Sequence, residues 1–278
     1  MIASFMITFR ETLEVALVLG IIWSYLIKSH NRSLLPTLVK GCVAGIVVSI
    51  LGAYLFQILA GGFVGKAEQI FEGTTMIIAG LLLTTMILWM MFKNSAHELE
   101  SSVATAIEVE DSSKIALFLL VFFSVLREGI ETVLFLSSVS IVSDTSLLSG
   151  AILGIVLASF LGWCFFQGSL KLKLKTVFNL SSALLILFAS GLFAHGVHEF
   201  QEAGILPVMI EHVWDINPVI IDGVYSVMHE QGSIGSIFKS LFGYNGNPTL
   251  LEVVTYMFYL MTACGIWLLA TKKRCSRC

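Results

Sequence analysis

Charge is scarce in this sequence. Of 278 residues only 13% are Asp, Glu, Lys or Arg, about half the ~25% usual in soluble domains. The 16 Lys/Arg against 19 Asp/Glu leave a net charge of −3, so there is no basic surplus to hold nucleic acid. Cysteine is sparse and odd in number, five in all. Cys275 and Cys278 form a C-x-x-C with no second pair to complete a metal site. Cys42, Cys164 and Cys264 fall within apolar runs, where small packing residues are ordinary. No positive charge precedes the first apolar run, and an Arg and two Glu stand inside it, which does not fit a cleaved secretory signal. What is plentiful is apolar: 56% of residues, with a mean hydropathy of +0.90. A soluble fold of this size would show that surplus to water, so the expected solvent is the bilayer.

A helix needs about 20 apolar residues to cross a hydrocarbon core. Seven runs qualify: 2–27, 38–60, 71–92, 115–141, 148–168, 177–200 and 250–270. They are continuous rather than alternating, which disfavours a barrel and predicts an all-α protein. Twelve Lys and Arg fall on one side of these runs: Lys28, Arg32, Lys40, Lys93, Lys114, Lys171, Lys173, Lys175, Lys272, Lys273, Arg274 and Arg277. Only Lys66 and Lys239 fall on the other. The asymmetry predicts that the amino terminus lies outside and the carboxyl terminus in the cytoplasm.

The chain repeats itself. Arg10-Glu11-Thr12-Leu13-Glu14 returns as Arg127-Glu128-Gly129-Ile130-Glu131. Gly41, Gly45 and Phe56-Gln57 answer Gly150, Gly154 and Phe166-Gln167, and His97-Glu98-Leu99-Glu100 answers His198-Glu199-Phe200-Gln201-Glu202 with a gap. A unit of three spans is odd, so the second copy enters the membrane from the opposite face, a transporter signature. The expected organisation is one membrane domain over 1–278. It comprises a first repeat at 1–100, an inverted repeat at 115–202, an external loop at 203–249 and a seventh helix at 250–270.

In each motif the two carboxylates are three residues apart and share a helical face, while the Arg and the second Glu are neighbours at four apart. An ionised group in mid-span is costly unless it pairs or faces water. A permanently charged guanidinium beside it favours the carboxylate form. The motif reads as a device for keeping Glu11, Glu14, Glu128 and Glu131 ionised, with Arg10 and Arg127 as their counter-charges. Four Glu and two Arg carry a formal −2, which a divalent cation neutralises and a trivalent one exceeds by one; an anion does not fit. All-oxygen donors suit ferric iron, manganese, magnesium or calcium better than copper(I). Buried bridges that only fix helix packing would account for one such motif, but not for two related by inversion.

Further candidates lie towards the ends of the spans. Glu199 and Glu202 share a face by the same spacing as the motif carboxylates. With His198, and with Glu72 at the end of the third run, they make an outer capture site for a cation. Glu98 and Glu100 mark an inner exit. Surface solvation accounts for most of the other acids of the external loop.

At these residues the sequence resembles the oxidase-dependent iron permease family, which takes in bacterial EfeU-type proteins and the fungal high-affinity iron permease. The hallmark is Arg-Glu-x-x-Glu in the first and fourth of seven helices. The run at 127–131 is close to that form, and the run at 10–14 has Thr12 where Gly is usual. The likeness continues through Phe71-Glu72-Gly73, Glu202-Ala203-Gly204 and Leu241-Phe242-Gly243-Tyr244. The resemblance implies iron uptake across the cytoplasmic membrane, with Arg10, Glu11, Glu14, Arg127, Glu128 and Glu131 as the essential translocation site. It also implies an external oxidising partner, either a multicopper oxidase or a haem peroxidase with a cupredoxin-like protein. No copper-type Cys/His set, flavin motif or haem motif is evident. The expectation is therefore a permease without a cofactor of its own, carrying Fe(III) as substrate, and not an enzyme. Two other readings stay open. One is a carrier of manganese or lead on the same architecture; the other is an intramembrane hydrolase using Glu and His as acid and base.

Overall fold

The computed structural model describes residues 1–92, 113–142, 147–166, 174–216, 229 and 235–275. These residues are helical with short connections, and no strand occurs among them. The helices are α1 (Ile2–Lys28), α2 (Leu35–Ala60), α3 (Lys66–Phe92), α4 (Ser113–Val142), α5 (Leu147–Phe166), α6 (Leu174–Glu202), α7 (Gly235–Phe242) and α8 (Leu250–Cys275).

Their limits follow from local chemistry. Pro36 falls in the first turn of α2, where its missing N–H is not needed. Gly204 ends α6 in the left-handed region at φ 74°. There the Gly204 N–H bonds Gln201 O at 3.0 Å and the Ile205 N–H bonds Phe200 O at 2.9 Å, the paired closure that only a residue tolerating positive φ completes readily. The segment 203–249, expected as a loop, contains the short α7. Phe238 and Phe242 stand one turn apart there with ring centroids at 5.5 Å, and the short helix is supported by packing on α6 and α1.

Five of the helices, α2, α3, α5, α6 and α8, are long and apolar enough to cross a membrane. In α1 and α4, any 18 consecutive residues hold at least three charges, because each helix carries an Arg-Glu-x-x-Glu run. The outer shell is apolar. α2 buries only Leu38, Gly41 and Gly45, while Ile50, Leu51, Leu55 and Ile58 stand exposed. A face of that kind is at rest against lipid.

α1 packs along α5, α2 along α4, and α3 along α6, with α8 laid on α6. Glycines set the closest approaches, as in bilayers, where small residues replace the hydrophobic drive between helices. A Cβ on Gly41 would meet Phe118 O and Val121, and one on Gly45 would meet Phe122 O and Val125. On the other pair, Gly150 lies against Met1 and Ser4, and Gly154 against Phe5 and Thr8. Residue numbers rise together along both contacts, so each pair is parallel. α1 and α4 run antiparallel. Ala3 and Ile7 share a buried cluster with Phe135 and Val139, while Ile22 and Leu26 share another with Leu117, Val121 and Val125.

The glycine contacts give a test of opposite sign. Gly154→Ala would drive a methyl into the Phe5 carbonyl and the Phe9 N–H of α1, at 2.6 and 2.9 Å, and is expected to cost about 1–3 kcal/mol. Gly52→Ala meets nothing within 4 Å, so it should gain up to about 1 kcal/mol of helix propensity. Thermal unfolding of the detergent-solubilised variants checks this; an equal fall in both would contradict the α1–α5 contact.

Candidate metal site

The two Arg-Glu-x-x-Glu runs fall between the two apolar clusters. On α1 the acids lie between Ile7 and Ile22; on α4 they lie between Val125 and Phe135. Both arginines hold their own acids in the same pattern. Arg10 Nε lies 3.2 Å from Glu14 Oε1 and Arg10 Nη1 lies 3.8 Å from Glu11 Oε1. Arg127 Nε lies 2.9 Å from Glu131 Oε1 and 3.9 Å from Glu128 Oε1. The i,i+4 partner is the near one in each case, as helical geometry requires. Burial differs sharply: the Arg10 side chain is 1% exposed and that of Arg127 48%.

Glu11, Glu128 and Glu131 converge. Each offers one carboxylate oxygen to a group whose atoms all lie within 4.8 Å of one another, close enough among the described residues to hold a metal ion. Oxygens bound to one hard cation at about 2.0–2.6 Å stand roughly 3–5 Å apart, so the group needs little rearrangement to grip an ion. Empty and fully ionised, it is strained. Two unit charges about 4 Å apart repel by about 4 kcal/mol even at an effective dielectric near 20. One oxygen each of Glu11 (Oε2), Glu14 (Oε1), Glu128 (Oε2) and Glu131 (Oε2) is buried without a hydrogen-bond partner. For Glu14 this is the oxygen beside Arg10, close as a charge but misaligned as a hydrogen bond. Buried acceptors left in this way are rare in native proteins, and a cation held by Glu11, Glu128 and Glu131 would relieve the three acids that converge. Glu14 itself stands outside the trio, on the Arg10 side of it, within electrostatic reach of Glu128 and Glu131.

Thr12 and Gly129 occupy the same place in the two motifs, and their surroundings explain the difference. A Cβ on Gly129 would collide with the Ser49 side chain of α2, so that motif tolerates no side chain there. Opposite α1, Gly154 meets Thr8 and Gly162 meets Ala16; the α5 position midway between them is Ala158, fully buried. The bulk is exchanged: glycine faces serine at one contact, and threonine stands level with alanine at the other.

The outer candidates gather where α3 crosses α6. A Cβ on Gly73 would meet Gly196 O at 3.0 Å and Glu199 Cβ at 3.1 Å, which sets Glu72 beside Glu199. Glu199 lies within electrostatic reach of Glu72, Glu202 and Glu68. His198 bridges two acids, with Nε2 at 3.1 Å from Glu202 Oε1 and Nδ1 at 2.9 Å from Glu252 Oε1. Unlike the motif acids, these groups do not bring three ligand atoms within 4.8 Å of one another. Glu98 and Glu100 lie outside the described residues. Glu252, 2% exposed, escaped the sequence reading. Its signal was present as Thr249-x-x-Glu252 at the head of the last apolar run, a capping-box spacing.

Removing a guanidinium should expose the burial asymmetry. Arg10→Met strands carboxylates with no solvent beside them and is expected to cost about 3–5 kcal/mol, visible as a large fall in thermal midpoint in detergent. Arg127→Met should cost clearly less, and equal losses would contradict the geometry.

Comparison with known proteins adds the relatives. The chain matches the iron permease FTR1 family over residues 1–274. It is 32% identical over 267 residues to the ferrous iron permease EfeU of Yersinia pestis, covering 95% of this chain and 92% of the relative. It is 30% identical over 268 residues to the EfeU of Escherichia coli O6:H1, covering 95% and 94%. No solved structure matches. Two Arg-Glu-x-x-Glu helices and a family match along nearly the whole length agree: the chain belongs to the iron permease FTR1 family.

Proposed function

We propose that this protein carries iron across the cytoplasmic membrane through a site at half depth built by Glu11, Glu14, Glu128 and Glu131. The observation that carries this reading is the convergence of three carboxylates from α1 and α4 on a space under 5 Å wide, with one oxygen of each buried and without a hydrogen-bond partner. Iron, in this reading, supplies the positive charge that the cluster lacks. Arg10 and Arg127 hold the empty site ionised and yield their acids to the incoming metal.

The reading includes seven spans, with α1 and α4 crossing in spite of their charges because those charges face one another. It also includes an inverted repeat relating α1–α3 to α4–α6. The packing supports it, because exchanging the two halves maps the α1–α5 contact onto α4–α2 and returns α3–α6 to itself. The match extends to residues. In the register that overlays Arg10 on Arg127, Met1, Ser4, Phe5 and Thr8 correspond to Phe118, Val121, Phe122 and Val125. The first four receive Gly150 and Gly154, and the second four receive Gly41 and Gly45. The amino terminus lies outside, by the distribution of Lys and Arg.

Iron is gathered at the outer face by Glu72, His198, Glu199 and Glu202, passes to the four mid-depth acids, and leaves beside Glu98 and Glu100. The all-carboxylate core favours Fe(III), produced by an external oxidase, either a multicopper oxidase or a haem peroxidase with a cupredoxin-like protein. Glu14→Gln and Glu131→Gln should each abolish uptake of radiolabelled iron while the protein still reaches the membrane; normal uptake by either variant would refute the site. In competition uptake, excess Fe(III) should suppress labelled iron more strongly than excess Fe(II) or Mn(II). Stronger suppression by Mn(II) would favour a manganese carrier on the same fold.

A further inference from the structure

The residue that sequence reasoning missed, Glu252, is tied into the outer candidates by a network whose proton positions are fixed by its geometry. Thr249 caps α8, and its N–H donates to Glu252 Oε1 at 3.0 Å, while its hydroxyl receives the Glu252 N–H at 3.3 Å. Asn245 Oδ1 accepts the Asn247 N–H at 3.0 Å, which orients the amide, so that Nδ2 donates to Glu252 Oε2 at 2.8 Å. Both oxygens of Glu252 therefore receive hydrogen bonds from groups that have nothing to accept with. The third partner is His198 Nδ1, 2.9 Å from Oε1. Facing a carboxylate already serving as acceptor, that nitrogen bears the proton.

The consequence falls on the other side of the ring. With Nδ1 protonated, a neutral His198 presents a bare lone pair at Nε2, 3.1 Å from Glu202 Oε1. Glu202 is steadied by Gln69 of α3, whose Nε2 donates to its second oxygen at 3.0 Å. Two acceptors at that separation need a proton or a cation between or beside them. A buried carboxylate behind a histidine whose far nitrogen faces outward is the arrangement by which an acid bonded to one ring nitrogen orients the other towards a metal. A tie that merely joined α6 to α8 would need neither the Glu202 contact nor a ring turned towards the acids at the α3–α6 crossing.

We propose that Glu252 is a positioning residue for iron capture, holding His198 so that Nε2 and Glu202 Oε1 form a nitrogen–oxygen pair that takes the incoming cation. The proposal rests on the transport reading above and adds to it a nitrogen ligand at the outer face, upstream of an all-oxygen core. Glutamine is also accepted at the third position of a capping box, so Glu252→Gln preserves the helix start while weakening the hold on the ring.

Radiolabelled iron uptake by cells expressing each variant, with membrane abundance measured alongside, tests the proposal. His198→Gln and Glu252→Gln are each expected to raise KM about tenfold with the maximal rate unchanged, whereas Glu131→Gln loses uptake altogether. Nitrogen NMR of isotopically labelled histidine in the purified wild-type protein, without added metal, should show His198 protonated at Nδ1 and bare at Nε2. An unchanged KM in both variants at normal abundance overturns the proposal and leaves the core site standing. Proton occupancy at Nε2 in the wild type overturns it as well, and needs no variant to fold. Normal uptake by Glu131→Gln would strike the core reading instead, with the NMR result still judging Glu252.

Discussion

A charge inside a bilayer must be answered by another charge at the same depth, and the structure is arranged around that demand. Six charged side chains stand mid-length in α1 and α4, among residues that are mostly apolar. Each arginine grips its own acids along one helix, which removes part of the cost. What it cannot remove is the repulsion between carboxylates that face one another across the α1–α4 contact. Two apolar clusters, one containing Ile7 and Phe135 and the other Ile22 and Val125, close over the acids at either end. Screening is thereby weakened on the Arg10 side, while Arg127 stays half exposed. In the transport reading proposed above, the low dielectric that makes this cluster of carboxylates costly is also what draws a cation to it.

The surrounding helices serve to bring those two together. α2 and α5 contribute almost nothing to the buried interior beyond the glycines that let α4 and α1 lie against them, and their outer faces are lipid-facing. α3 and α6 cross at Gly73 and Gly196, with Glu72 and Glu199 beside the crossing. α8 adds Glu252 from a position that belongs to neither half. Gly243, in the left-handed region at φ 64° and pressed backbone to backbone on Gly191, holds the segment carrying Asn245 and Thr249 against α6.

Much of this was legible in the residues. The apolar runs at 38–60 and 148–168 became α2 (Leu35–Ala60) and α5 (Leu147–Phe166), because lipid admits little besides helix over such lengths. The pairing of each Arg with the Glu four residues on followed from helical spacing alone. Less visible was anything set by a neighbouring helix. Spacing places Glu11 and Glu14 on one face, but not which of them meets α4, and it was Glu11 that joined Glu128 and Glu131. Burial of Arg10 against half-exposure of Arg127 depends on what packs outside each helix, which the identical motifs conceal. Glu252 escaped notice because its partner, His198, is 54 residues away in sequence. Thr12, an anomaly in the motif, stands level with the small, buried Ala158 of another helix.

The central claim is that one iron ion sits between α1 and α4 on carboxylate oxygens. Crystals of the iron-loaded protein, measured at the iron absorption edge, address it directly. The account requires an anomalous peak within about 2.0–2.6 Å of oxygens of Glu11, Glu128 and Glu131. A map with iron elsewhere in the bundle and those three carboxylates turned apart would contradict it.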